Sequence, residues 1–284
     1  MPHFVREGET ISADHLEFFS GGKGLNQSIA CARAGANIEH AGAVGSDGTF
    51  LVDLLRESGV HADRVRLLDE AGGHAVIQLT PQGSNSIIIA HGANFCISES
   101  YIDQVLADYG DNDILLLQNE VNNISYAMRQ AKKRGMRIAF NASPVTPAIL
   151  EYPLDLVDCF FVNETEGKYL SGRNGGNNTE ILAALHDRFP SAAIVLTVGS
   201  DGVLYQAGDE VISHPAYRVH AIDTTAAGNT FTGFFLAGVW RGLPVEQCLK
   251  AASLAAARAV TIKGAAPSIP TWDEMESFAG SIGA

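Results

Sequence analysis

Four short, mostly apolar runs constrain this chain more than any other feature: Ile114-Leu-Leu-Leu, Arg137-Ile-Ala-Phe-Asn, Cys159-Phe-Phe-Val-Asn and Ala193-Ile-Val-Leu-Thr-Val. Runs of this length without polar alternation suit strands covered on both faces, the situation of a parallel sheet. Between them, Ile124 to Arg134 and Thr179 to Arg188 carry a helical pattern. The last third is also helical in pattern, over Ala227 to Arg241, Glu246 to Thr261 and Trp272 to Ile282. This alternation predicts one α/β domain over residues 1–284: a doubly wound, mostly parallel sheet with helices on both faces. Ligands of such sheets bind outside the carboxyl ends of the strands.

Two regions break the alternation. Glu9 to Phe19 and His74 to Ala90 have strand character with no helix between strands. Ala75-Val-Ile-Gln-Leu-Thr, a turn at Pro81-Gln-Gly and Ser86-Ile-Ile-Ile-Ala read as a hairpin. A small β-lid with strands over about 7–20 and 74–91 is therefore expected beside the main sheet.

Composition narrows the classes of partner. With 19 basic against 32 acidic residues, the formal net charge is −13, which argues against general binding to nucleic acid or an anionic membrane. An anionic nucleotide stays compatible, because backbone dipoles bind phosphate locally. The four cysteines, Cys31, Cys96, Cys159 and Cys248, form no CxxC pair and read as reduced thiols in a cytoplasmic protein. No apolar signal core follows Met1-Pro-His-Phe, and Phe231 to Trp240 is too short to span a bilayer.

Two segments carry chemistry. Gly21-Gly-Lys-Gly-Leu-Asn26 leads into the helical stretch Gln27 to Arg33. Glycines at a helix start let the backbone approach a ligand, and Asn26 offers a donor and an acceptor to hydroxyl groups. A flexible loop reads equally well from the pattern, and the Gly-Lys-Ser/Thr of a Walker A loop is absent. Asp223-Thr-Thr-Ala-Ala-Gly-Asn-Thr-Phe231 enters an apolar helix. Ala226, Ala227 and Gly228 are small enough to bring that helix N-terminus against a phosphate; close helix packing demands the same small residues.

Together these segments resemble the signatures of the PfkB carbohydrate kinases, ribokinases among them. His91-Gly-Ala-Asn, Gln118-Asn-Glu120, Asn141-Ala-Ser-Pro, Val162-Asn-Glu-Thr-Glu166, Leu196-Thr-Val-Gly-Ser-Asp-Gly202 and Lys263-Gly-Ala-Ala-Pro-Ser268 match in order between and after them. The resemblance implies a ribokinase-like fold and ATP-dependent phosphoryl transfer to a sugar, with ribose foremost. By the same resemblance, Gly22, Lys23, Asn26 and Glu120 contact the sugar. Asn163 and Glu166 organise magnesium and phosphate through water, while Thr197, Gly199, Gly202 and Ser253 form the ATP pocket. Ala226, Ala227 and Gly228 form an anion hole for the γ-phosphate. Asp223, Thr225 and Ser268 hold a monovalent cation, typically potassium. The lid edges need covering, and the resemblance implies a homodimer paired through the lids. The bland alternatives are a solvated acid at Glu120 and an ordinary strand threonine at Thr197.

Two departures from the family pattern bear on function. Asn229 stands where the family has the Asp that acts as general base on the sugar hydroxyl. An amide cannot take up the proton, and a positioned base typically contributes about 10²–10⁴-fold. The family also opens with a hydrophobic strand carrying an Asn-x-Asp pair, and Met1-Pro-His-Phe enters the pattern after it. Without that strand, unpaired sheet edges are expected unless another segment fills the gap. The competing reading is a catalytically silent family member that binds sugar or nucleotide as a sensor or partner. A dinucleotide-dependent dehydrogenase is more distant, since no Gly-x-Gly-x-x-Gly follows a first strand.

Overall fold

A computed structural model describes residues 1–81 and 84–284. Its first half runs α1 (Lys23–Arg33), β1 (Glu39–Gly45), α2 (Thr49–Glu57), β2 (His61–Leu68), β3 (His74–Leu79), β4 (Asn85–Ala90), α3 (Glu99–Leu106) and β5 (Ile114–Gln118). Then come α4 (Ile124–Lys133), β6 (Arg137–Asn141), β7 (Cys159–Asn163), α5 (Glu164–Ser171), α6 (Asn178–Arg188) and β8 (Ala193–Thr197). The chain closes with β9 (Val203–Ala207), β10 (Glu210–His214), α7 (Ala227–Trp240), α8 (Val245–Ala259) and α9 (Trp272–Ile282).

The four apolar runs become the adjacent parallel strands β5, β6, β7 and β8, and β9 and β10 extend the sheet antiparallel. Their side chains alternate between two cores. Phe140, Phe160, Val162, Ile194 and Leu196 pack with Tyr101 of α3, Met128 of α4, Leu170 of α5 and Leu185 of α6. Ala139, Phe161 and Val195 face Ile29 of α1, Phe234 and Phe235 of α7 and Leu249 of α8. Burying both faces explains why these strands lack polar alternation. The sheet is doubly wound, with helices on both faces.

β1 and β2 form a parallel pair of their own. Among the described residues, β1 and β5 share no ladder, so each keeps one edge without a strand partner. β5 shows the consequence. Ile114 and Leu116 pack against one core and Leu115 and Leu117 against the other, yet all four stay only half-buried.

The lid expectation divides. β3 and β4 pair antiparallel from His74↔Ala90 to Leu79↔Asn85; Gln82 and Gly83 of the expected turn lie outside the described residues. Residues 7–20, by contrast, form no strand. Glu9 donates its N–H to the Arg6 carbonyl, its carboxylate accepts from the Arg6 N–H, and Gly8 sits at φ +74°. That turn carries the chain away from the hairpin, which it meets only at Met1 and Val5. A strand without a ladder partner leaves its backbone unpaired, so the alternating pattern is not realised. Leu16, Phe18 and Phe19 stay exposed, as do Ile77, Leu79, Ile87 and Ile89 on one face of the hairpin and Val76 and Ile88 on the other.

α1 and α7 cross unusually closely. A Cβ built on Gly233 of α7 would lie 2.3 Å from the Ala30 Cβ and 2.8 Å from the Cys31 backbone nitrogen. Only glycine allows that approach. Gly280 of α9 is its counterpart in open space, with nothing within 4 Å of a Cβ. In an open helix Gly→Ala stabilises by roughly 1 kcal/mol, whereas overpacking costs about 1–3 kcal/mol. In urea unfolding, Gly280→Ala is therefore expected to be neutral or stabilising and Gly233→Ala destabilising. Equal midpoints for the two variants would contradict the close crossing.

Candidate active site

Each parallel strand of the main sheet ends on a polar residue: Gln118, Asn141, Asn163 and Thr197 close β5, β6, β7 and β8. Gln118 is paired in register with Asn141, and Asn163 with Thr197. A polar rim thus lines the carboxyl edge, where doubly wound sheets place their ligands.

The N-terminus of α1 stands over one end of the rim. Gly22 precedes it at φ +109°, a conformation L side chains rarely adopt. The Lys23 N–H donates to Glu120 Oε2 at 2.9 Å, and Lys23 Nζ lies 4.0 Å from Glu120 Oε1. The carboxylate thereby satisfies a free helix donor and complements the helix dipole. Asn26 is nearly buried, and its Oδ1 has no partner among the described residues. A buried acceptor left open is costly unless something donates to it, which suits a ligand hydroxyl.

Gln27 is wholly buried. Its Nε2 donates to Asn229 Oδ1 at 3.0 Å, and its Oε1 accepts from Gln118 Nε2 at 2.7 Å. Ser28 Oγ and His40 Nδ1 are 2.8 Å apart. Burial pushes the His40 imidazole down to about 4, so it is neutral at ordinary pH.

α7 supplies the facing element. Ala226 caps it, Ala227 and Gly228 open its first turn, and a Cβ at Gly228 would meet nothing within 4 Å. First-turn N–H groups of a helix lack intrahelical acceptors, so this N-terminus is suited to an anion. Just before it, Asp223 Oδ1 accepts from the Thr225 N–H and hydroxyl, and Oδ2 accepts from the Gly264 N–H at 2.9 Å. Burial opposes the Asp223 charge, but these hydrogen bonds and nearby Lys263 outweigh it and hold the carboxyl below its usual range. Ser268 is buried, with its hydroxyl donating to the Ala265 carbonyl at 2.8 Å. Asp223 therefore ties the loop before α7 to the loop at 263–268.

At the other end of the rim, Asn163 and Glu166 form a capping box on α5. Asn163 Oδ1 accepts the Glu166 N–H and Glu166 Oε2 the Asn163 N–H, each at 2.9 Å. Glu166 is buried, and no Lys or Arg pairs with it among the described residues. A buried carboxylate without a counter-ion fits a cation supplied from outside the chain. Thr197 Oγ1 donates to the Val162 carbonyl at 3.3 Å. Gly199 is at φ +55° in open space, but a Cβ on Gly202 would lie 2.1 Å from the His214 carbonyl oxygen. Packing alone thus accounts for glycine at 202. Ser253 is buried on α8.

The structure joins Lys23 to Glu120, α1 to Asn229, and Asp223 to Thr225 and the 263–268 loop. Among the described residues, it records no side-chain bond from Ser253 or Ser268 to any of these. Gln27, Ser28 and His40 carry no signal of their own in the sequence; a helix pattern of small residues gives no reason to single out a buried glutamine.

With this geometry in place, comparison with known proteins gives the class: residues 2–272 match the pfkB family carbohydrate kinases, and the chain belongs to that family. By family it is a phosphotransferase with an alcohol acceptor, and within the family it is ribokinase-like. The ribokinase of Haemophilus influenzae is 32% identical over 286 residues, covering 98% of this chain and 93% of that protein. An Arabidopsis thaliana ribokinase solved with ribose and ATP has a TM-score of 0.85 at 31% identity, covering 98% of this chain and 93% of that one. A Thermotoga maritima ribokinase has a TM-score of 0.86 at 30% identity, covering 98% and 94%.

Proposed function

We propose that the chain is a ribose-directed, ATP-dependent kinase slowed by the amide at position 229. The single observation that carries the reading is the Gln27–Asn229 bond, which holds the family's base position at the junction of the α1 and α7 N-termini. The Arabidopsis relative solved with ribose and ATP supports the choice of substrates.

In this reading Gly22, Lys23, Asn26 and Glu120 hold the sugar, with the open Asn26 acceptor taking a hydroxyl. Asn163, Thr197, Gly199, Gly202 and Ser253 line the nucleotide side. The Ala226, Ala227 and Gly228 backbone meets the γ-phosphate, where preorganised N–H groups stabilise developing charge. Magnesium, when bound with ATP, offsets phosphate charge; Glu166 would hold it through water. Asp223, kept charged, would hold potassium with Ser268 and the backbone around Thr225. Among the described residues no helix is long and apolar enough to cross a membrane, and we place the protein in the cytoplasm.

Position 229 sets the rate. Asn229 accepts and donates hydrogen bonds but cannot remove the acceptor's proton, which leaves orientation and anion stabilisation to work alone. Asn229→Asp is expected to raise sugar-dependent ATP turnover by about 10²-fold or more on ribose or a related pentose, with magnesium and potassium present. No gain on any of a panel of pentoses and hexoses would favour the second reading, a silent binder, which the same amide supports.

We also propose that two copies pair through the lid. The hairpin exposes apolar residues on both faces, and such a surface marks an interaction site. Sedimentation at tens of micromolar is expected to give a dimer, and Ile77→Lys with Ile87→Lys a monomer. A monomeric unmodified chain would remove the idea.

A further inference from the structure

Three side-chain amides form a directed chain beneath the site: Gln118 Nε2 donates to Gln27 Oε1 at 2.7 Å, and Gln27 Nε2 donates to Asn229 Oδ1 at 3.0 Å. Gln27 lies wholly inside the protein, so neither end of its amide can turn to water. Reversing it would set Nε2 against the Gln118 donor and Oε1 against the Asn229 oxygen. Two repulsive contacts would replace two hydrogen bonds, and unpaired buried groups cost about 1–3 kcal/mol each. Gln118, the last residue of β5, is anchored by the sheet through its register with Asn141. Space above it is limited, since a Cβ on Gly24 of α1 would lie 3.0 Å from Gln118 Oε1.

The direction of the chain matters because it ends by donating to an oxygen of residue 229. An amide oxygen satisfies that donor, and so does a carboxylate oxygen. A carboxylate has acceptors only, so Asn229→Asp requires no reversal anywhere along the chain. The donated N–H would also favour the charged form of that carboxyl.

We propose that Gln27 is a positioning residue. From inside the core it holds the side chain at position 229 toward the site and holds any carboxyl there in its charged, proton-accepting form. Gln118 fixes Gln27 in turn. The inference deepens the kinase reading, on which the meaning of position 229 rests, but its test does not require turnover.

The test is made in the full-length Asn229→Asp chain. The introduced carboxyl is titrated by carbon NMR with Gln27 intact, with Gln27→Glu and with Gln27→Met. Gln27→Glu keeps the size and the acceptor for Gln118 but presents an oxygen to the carboxyl. Gln27→Met removes both hydrogen bonds. The pKa of the introduced carboxyl is expected to rise by about one unit with Gln27→Met and by more with Gln27→Glu. Where Asn229→Asp has restored turnover, the acid limb of kcat should move up in parallel while the KM for ATP stays the same. A purely structural glutamine would lower stability without moving the titration. If Gln27→Met does not fold, Gln27→Glu alone decides. An unchanged carboxyl pKa in the folded variants would overturn the proposal. Absence of turnover in Asn229→Asp would instead count against the kinase reading, and the titration would still judge Gln27.

Discussion

α1 and α7 approach until the backbone of one meets the glycine of the other, at Ala30, Cys31 and Gly233. Each helix carries one half of the site at its N-terminus: Gly22 to Asn26 on α1, and Ala226 to Asn229 on α7. Their separation is therefore fixed by contact in the core. A helix pair held by long flexible side chains could slide by fractions of an ångström. One held by Cβ-free contact cannot, because the interior is close-packed and resists small displacement. The Gln27–Asn229 bond lies just ahead of this contact and repeats the constraint in polar form.

The sheet anchors that pair against the remaining parts. Gln118 at the end of β5 reaches Gln27, and Glu120 just beyond reaches the first N–H of α1. Asp223 ties the approach to α7 onto the 263–268 loop. β1 and β2 stand apart from β5 as their own pair, so part of the alignment between sheet and α1 runs through side chains rather than a continuous ladder. The Ser28–His40 contact, with its neutral buried imidazole, is one such link between α1 and β1.

Much of the fold was legible because its signals are local. Runs such as Cys159-Phe-Phe-Val-Asn can sit only in a doubly covered sheet, and α9 begins and ends where the pattern of Trp272 to Ile282 does. Residues 7–20 were misread because alternation predicts a strand only where a partner strand exists, and the turn around Gly8 removes that partner. The site motifs could be read because small residues at helix starts have a stated chemistry. Gln27 and His40 could not, since their roles arise from burial and from partners 202 and 12 residues away. Gly202 went the other way: it sits in a recognisable motif, but the His214 carbonyl already demands glycine there.

The central claim is that these two helix N-termini and the polar rim between them form one nucleotide-binding site despite a net charge of −13. Calorimetric titration of the unmodified chain with a non-hydrolysable ATP analogue and magnesium tests it most directly, since it needs no catalysis at Asn229. The account predicts saturable binding that is lost when Gly228→Asp places a carboxylate at the α7 N-terminus. No heat and no thermal shift at millimolar nucleotide, or equal binding by Gly228→Asp, would contradict it.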